Sequence, residues 1–348
     1  MRKQWKNLCA VLLGCAMLGF TGCGEEDSGS YEHAMEALEE GNYVLAQQEF
    51  DQAEKMDGRK AEVCRGKGIL FLAQGQYDQA MQMFDQAIEE ANGKNKAFIQ
   101  DVQLYKAETY LSGGQTSEAE RICQEMLDEN KVGEAELILG RIALEQGDLP
   151  GAAEHFSACA DEEPSYENYL TIYDLYVEAS MEADGAAYLE KALENTPADA
   201  ADYCSQGQVY YNLGQIEQAK TSFARAIDLG NTDAVPMMGK LYLENAEIQA
   251  ARSMYQSYLN EKIRPALAYN GLALCDLADK KYDEALANIH KGLEEEDQEV
   301  RESLLLNEIA AYEYKLDFQT AKEKMKSFLQ DYPENKEAVR ENIFLQSR

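Results

Sequence analysis

Few residues in this 348-residue sequence have the types and spacing that chemistry requires. His33, His155 and His290 stand at unrelated positions. His155 and Cys159 are four residues apart, so a helix would place them on one face, as metal ligands need. Two ligands fall short of the four that a structural zinc ion takes, and Cys159 occupies a place where a small buried residue is expected. The acidic runs Asp161-Glu162-Glu163 and Glu294-Glu295-Glu296-Asp297 lack the alternating spacing and central glycine of a calcium loop and read as solvated turns. Phosphate-binding Gly-x-x-x-x-Gly-Lys-Ser/Thr, zinc-protease His-Glu-x-x-His and hydrolase Gly-x-Ser-x-Gly patterns are all missing. The expectation is a protein with no catalytic residue, no metal and no cofactor.

Binding chemistry is better represented. Tyrosine is abundant (21), with clusters at Tyr166/Tyr169/Tyr173/Tyr176 and Tyr203/Tyr210/Tyr211. Spacings of three and four put the first cluster on one side of a helix. Such rings either pack between helices, as expected of Tyr176 and Tyr210, or line a surface where a large ring with a polar tip anchors a partner.

The N-terminus carries a different chemistry. Arg2, Lys3 and Lys6 precede an uncharged apolar stretch, Leu8 to Phe20, which is 13 residues long. That length suits the apolar region of an export signal and falls short of the ~20 residues that span a bilayer. Thr21-Gly22-Cys23 closes it, and Gly24-Glu25-Glu26-Asp27-Ser28-Gly29-Ser30 follows. A small residue before cysteine at the end of a signal resembles the lipobox of bacterial lipoproteins, although Phe20 stands where leucine is usual. The resemblance implies that the Cys23 thiol accepts a diacylglyceryl group and that residues 1–22 are removed. Leu12-Leu13-Gly14-Cys15 is a rival site that would leave an apolar region of only six residues. Ordinary secretion with cleavage elsewhere is the other alternative.

The formal charge is −32, and loss of the three basic signal residues takes it to −35. So acidic a chain is repelled by nucleic acid and by anionic headgroups, which excludes nucleic acid as a partner and leaves membrane attachment to a lipid. Two acyl chains anchor stably where one does so only marginally. Much of the acidic charge is expected on solvated helix faces. After the signal and Cys23, five cysteines remain: Cys64, Cys123, Cys159, Cys204 and Cys275. An odd, scattered set reads as small buried residues rather than a disulfide framework.

The elements that must position these residues are helices. Gly-Asn-Tyr-Val-Leu-Ala (41–46), Gly-Gln-Tyr-Asp-Gln-Ala (75–80), Gly-Gly-Gln-Thr-Ser-Glu-Ala (113–119), Gly-Asp-Leu-Pro-Gly-Ala (147–152), Gly-Gln-Ile-Glu-Gln-Ala (214–219) and Lys-Tyr-Asp-Glu-Ala (281–285) recur with a period near 34, the length of one stacked helix–turn–helix unit. A small residue sits inside each first helix (Gly68, Ala107, Gly140, Gly207, Gly239, Ala273), where glycine costs ~1 kcal/mol against alanine and so points to close packing. Glycines 41, 75, 114, 147 and 214 end these helices. Asp78 and Asp148 are expected to cap the second helices. Those helices repeat an Ala/large apolar/small pattern, as in Ala80/Phe84/Ala87.

These residues resemble the tetratricopeptide repeat over nearly all of the mature length. The resemblance implies an all-α, right-handed superhelical solenoid of about nine helix–turn–helix units. The units are expected at 27–60, 61–94, 100–132, 133–165, 166–199, 200–231, 232–265, 266–301 and 302–334. The domain plan is a signal at 1–22, an acidic Gly/Ser linker at 23–30, the array at 31–334 and a capping helix at 335–348. Ser180, Lys280 and Leu316 stand at turns where glycine is usual. In the family, first helices line a concave partner-binding surface. The matching positions are Leu137, Arg141, Leu144, Leu170, Asp174, Glu178, Gln208, Tyr211, Asn212, Lys240 and Leu243. Each of them also has a plain interpretation as helix surface.

Together these features imply a non-catalytic scaffold, exported and held at the outer membrane face by Cys23, that binds a basic or polar segment of another envelope or secreted protein. The alternative is a cell-wall glycan or peptidoglycan binder using the tyrosine-rich face.

Overall fold

The computed structural model describes residues 29–39, 41–55, 59–129, 132–295 and 297–348. Cys15, Cys23, the signal and most of the proposed linker lie outside these residues. The described residues form nineteen helices and no strand. The chain divides between Thr196 and Pro197 into two compact units.

The first unit stacks five helical hairpins: α1 (Gly29–Glu39) with α2 (Tyr43–Ala53), α3 (Lys60–Ala73) with α4 (Tyr77–Ala91), α5 (Lys96–Ser112) with α6 (Thr116–Glu129), α7 (Gly133–Gln146) with α8 (Leu149–Glu162), and α9 (Tyr166–Glu178) with α10 (Glu182–Ala192). The second stacks four: α11 (Ala200–Asn212) with α12 (Ile216–Asp228), α13 (Ala234–Glu244) with α14 (Ile248–Glu261), α15 (Pro265–Ala278) with α16 (Tyr282–Glu294), and α17 (Gln298–Tyr314) with α18 (Phe318–Asp331). A single helix, α19 (Lys336–Gln346), follows α18.

One turn geometry closes all nine hairpins. A residue one or two positions past each first helix has positive φ: Gly41, Gly75, Gly114, Gly147, Ser180, Gly214, Ala246, Lys280 and Leu316. The next N–H reaches back to a carbonyl five residues earlier, as in Gln76 to Phe71 (2.8 Å), Met181 to Tyr176 (2.8 Å) and Asp317 to Tyr312 (2.9 Å). This bond satisfies carbonyls that the helix end leaves without partners. Four hairpins therefore hold a side chain in the left-handed region that L-residues disfavour.

Two helix starts differ from expectation. α5 and α17 each contain 17 residues and begin at Lys96 and Gln298, four residues before the boundaries at 100 and 302. Asn95 and Asp297 supply the reason, since their side chains accept from the N–H groups of Phe98 (3.1 Å) and of Glu299 (3.0 Å) and Val300 (3.2 Å), capping one extra turn. Asp148 does cap α8, accepting from Gly151 N–H at 3.1 Å. Asp78 does not cap α4. The cap position is Gln76, and Asp78 lies in the first turn, where its charge meets the positive helix end.

The core sits between paired helices. Phe50, Phe84, Phe156 and Phe223 of the second helices are almost wholly buried, and their rings fill space left by glycine. A Cβ on Gly68, Gly140 or Gly207 would meet the ring of Phe84, Phe156 or Phe223 at 2.4–2.5 Å. The Phe50 ring lies against Gly66 of the following hairpin in the same way. Aromatic contacts also join neighbouring hairpins, as where Phe84 stacks on Tyr105 at 5.7 Å and Phe156 meets Tyr176 edge-on at 5.3 Å.

Candidate partner-binding surface

Residues Leu137 through Glu178 of the expected binding surface lie in the first unit, and Gln208 through Leu243 in the second. In the first unit, α7 does not present its side chains freely. Leu137 is 1 % exposed and belongs to the core. Arg141 is 5 % exposed, and its guanidinium donates to both carboxylate oxygens of Glu108 on α5, at 2.9 and 3.1 Å, and to Glu145 at 3.1 Å. Glu108 is fully buried and accepts a further bond from Ser112 at 3.0 Å. A second pair, buried at Arg65 and half-buried at Asp101, joins α3 to α5, with the Arg65 guanidinium 5.4 Å from the Tyr105 ring centre. Both α7 positions therefore bind the stack internally. Leu144 is half-buried.

On α9, Leu170, Asp174 and Glu178 recur every four residues and share one stripe, half-buried at Leu170 and Asp174 and exposed at Glu178. Burial, together with the Glu178 charge, pushes the Asp174 carboxyl up to about 6. A second acidic group stands at the start of the same helix. Burial, with Glu134 of α7 and Glu163 after α8, pushes the Glu167 carboxyl up to about 7. Burial and Glu134 raise Glu163 as well. Asp101, Glu134 and Glu167 are spaced by 33 residues and occupy one position in three successive first helices. The result is an acidic face on α7 and α9 whose carboxylates lie close enough to repel one another.

In the second unit, Tyr211 of α11 donates from its hydroxyl to Glu244 of α13 at 2.5 Å, and the Lys240 ammonium lies 5.0 Å from the Tyr211 ring centre. Tyr211 and Lys240 thus form one cluster with Glu244, tying the two first helices together. Gln208 and Asn212 are half-buried beside it on α11. Leu243 packs against Ala251, Tyr255, Leu272 and Cys275.

Tyr166, Tyr169 and Tyr176 are 2–4 % exposed, so three of the four rings in the first tyrosine cluster belong to the core rather than to a platform. Tyr203, Tyr210 and Tyr211 pack against the core around Phe223. Tyr210, expected to pack between helices, does pack against that core and is partly buried at its edge.

His155 Nδ1 lies 2.6 Å from Glu136, and Cys159 is buried. Among the described residues no group of three or more His, Cys, Asp or Glu side chains is arranged to hold a metal ion. Cys123, Cys159, Cys204 and Cys275 are buried free thiols, and burial pushes the first two up to about 12 and the others up to about 11. They are poor nucleophiles at neutral pH.

The Glu108–Arg141 pair and the Glu134–Glu163–Glu167 group were not foreseen. The available signal was opposite charge, or repeated negative charge, at a spacing of 33.

Comparison with known proteins agrees with this geometry. Family models for the tetratricopeptide repeat match residues 37–98, 104–167 and 203–231. The chain therefore contains tetratricopeptide repeats, and its all-helical hairpin stacks are of that class. No curated protein matches the chain. Solved structures with similar folds include the APC/C hetero-tetramer Cut9-Hcn1, at 14 % identity and a TM-score of 0.46, where the match covers 90 % of this chain and 63 % of that one. The human IFIT1 dimer with m7Gppp-AAAA matches at 13 % identity and 0.45, covering 99 % and 91 %. The MamA protein matches at 22 % and 0.35, covering 49 % and 94 %.

Proposed function

We propose that this tetratricopeptide-repeat chain is a non-catalytic interaction scaffold, exported and anchored through a lipid on Cys23, whose acidic α7–α9 face binds a basic segment of another envelope or secreted protein. The observation that carries the reading is the gathering of Glu134 on α7, Glu163 after α8, and Glu167, Asp174 and Glu178 on α9, where burial and like charge push the Glu167 and Asp174 carboxyls up. Carboxylates crowded by their own kind gain most from a lysine or arginine brought by a partner. Stacked repeats suit this work because each adds a further strip of surface to the last.

The glycan alternative draws less support, since Tyr166, Tyr169 and Tyr176 are used in packing.

Crosslinking from Glu178 in intact cells, followed by identification of the attached segment, tests the proposal. The expected product is a lysine- or arginine-rich segment of an exported protein, lost in an Asp174→Lys variant of unchanged helix content. Equal crosslinking by Asp174→Lys, or attachment to an acidic segment, rejects the acidic face as the site. The anchor is tested separately. The only tryptophan, Trp5, lies in the proposed signal, so protein recovered from membranes is expected to show tyrosine emission alone. Tryptophan emission would rule out cleavage at Cys23, and a Cys23→Ser chain still sedimenting with membranes at high salt would rule out the anchor.

A further inference from the structure

Among the described residues, ten large apolar or aromatic side chains stand exposed, and five of them, Tyr314, Leu316, Val339, Ile343 and Phe344, fall within residues 314–344. Tyr314 is 59 % exposed, Leu316 73 % and Ile343 69 %. Ring contacts gather these elements at one corner of the second unit. Tyr314, at the end of α17, stacks on Tyr282 at the start of α16, with 5.8 Å between ring centres. The Arg348 guanidinium lies 5.9 Å from the ring centre of Phe318, the first residue of α18, and 4.7 Å from that of Phe344 on α19. The end of α19 therefore sits beside the start of α18, two residues from Leu316.

Leu316 is unusual in its backbone as well. Its φ near 62° lies in the left-handed region that glycine and asparagine adopt most readily. Five of the nine equivalent turns use glycine. A leucine there carries a steric cost, and its side chain is turned to water, so burial within the chain does not offset that cost. Strained residues and grouped exposed apolar side chains are both features of contact surfaces.

Electrostatics select the occupant. The chain has a formal charge of −32, yet from Phe318 to Arg348 six lysine or arginine residues stand against five aspartate or glutamate residues. Charges at the corner are matched locally too. Lys315 pairs with Asp283, Lys281 lies 3.2 Å from Asp279, and Asp317 accepts from the Thr320 N–H and hydroxyl. A basic segment is drawn to acidic surface instead, as on the α7–α9 face of the other unit. Two copies of so acidic a chain repel each other over most of their surface. At this corner the repulsion is least, and there apolar area is available to bury.

We propose that this corner is a self-association surface, through which two copies of the chain meet by Tyr314, Leu316, Ile343 and Phe344 in a closed two-fold dimer. The same patch serves on both sides, so the contact is self-complementary and stops at two. Apolar burial drives it, and long-range repulsion between the acidic chains opposes it. The contact uses no residue of the α7–α9 face, so it stands apart from the binding of a basic partner.

Sedimentation velocity of the full chain carrying Cys23→Ser, over about a hundredfold range of concentration, reads the dimer directly. A monomer–dimer equilibrium with no larger species is expected. Added salt screens the acidic repulsion and leaves apolar contacts intact, so the dimer should tighten severalfold between ~0.05 and ~0.5 M salt. Leu316→Asn keeps a residue that tolerates the left-handed backbone, and with Tyr314→Ser it should weaken the dimer about tenfold or more at unchanged helix content. Ile343→Asp should weaken it as well. Val44→Asn, a change at an equally exposed residue of the first unit, should leave it as it is. A chain monomeric at every concentration, oligomers that grow beyond two, association that falls with salt, or equal weakening by Val44→Asn would each overturn the proposal. So would a dimer as tight in Tyr314→Ser/Leu316→Asn as in the parent chain, the result expected of association through the Leu8–Phe20 stretch.

Discussion

The ring of Phe84 rests directly on the backbone of Gly68, so that a Cβ at position 68 would stand 2.4 Å from ring carbon Cε1. Both residues are buried within one hairpin, and the aromatic volume on α4 occupies the space that α3 leaves empty.

Gly68→Ala is therefore expected to be destabilising despite alanine's better helix propensity. Overpacking of this kind costs ~1–3 kcal/mol, against ~1 kcal/mol gained from propensity. Adding Phe84→Leu to Gly68→Ala should recover part of the loss, a coupling that a double-mutant cycle by urea unfolding would measure. Additive effects would show that the ring and the glycine do not share the space.

Leu316 is 73 % exposed and has φ near 62° in the α17–α18 turn. Leu316→Gly removes the left-handed penalty and loses little packing. A gain of about 1 kcal/mol is expected after the greater unfolded-state freedom of glycine is deducted. Gly147→Ala, at φ 79° in the equivalent turn, should move stability the other way. Thermal unfolding of the two variants checks both signs.

Arg141 and Glu108 are both buried and depend on each other. Glu108→Gln or Arg141→Met alone strands a charge and should cost ~3–5 kcal/mol. Glu108→Leu with Arg141→Met removes both charges and should cost far less than the sum. A double variant as unstable as the sum would mean that the pair contributes little as a pair.

Binding of a basic partner at the α7–α9 face should strengthen with pH. Asp174 and Glu167 are pushed up to about 6 and about 7, above their ordinary values, so both are largely neutral at pH 5 and ionised at pH 8. The ionised forms attract a cation, and a bound cation lowers both values. Association should therefore release protons near neutrality, which calorimetry in buffers of different ionisation enthalpy detects. Asp174→Asn with Glu167→Gln should flatten the profile. The same two groups act against folding in that window, because the folded chain loses proton-linked stability as pH rises through their raised values.

The hairpins were legible in the sequence because their determinants are local. A positive-φ turn, a glycine or alanine inside the first helix and an aromatic or apolar residue in the second all fall within one repeat, so Gly68, Gly75, Ala80 and Phe84 already describe the unit they build. Ser180, Lys280 and Leu316 were recognisable as turns from their place in the period alone, and their backbones adopt the same left-handed geometry as the glycines. The surface was less legible. Leu137 and Arg141 occupy positions that single-repeat reasoning assigns to a lining, but stacking places α5 beside α7 and encloses both side chains. The values near 6 and 7 at Asp174 and Glu167 arise in the same way, since desolvation sums over helices that meet only in the folded stack and the charges that act on Glu167 come from α7 and from the residue that follows α8. Sequence alone determined the repeating unit, because one repeat holds all the contacts that define it. Tertiary structure decided which charged residues became internal ties and which remained as a face, because burial and pairing depend on neighbours a full repeat away.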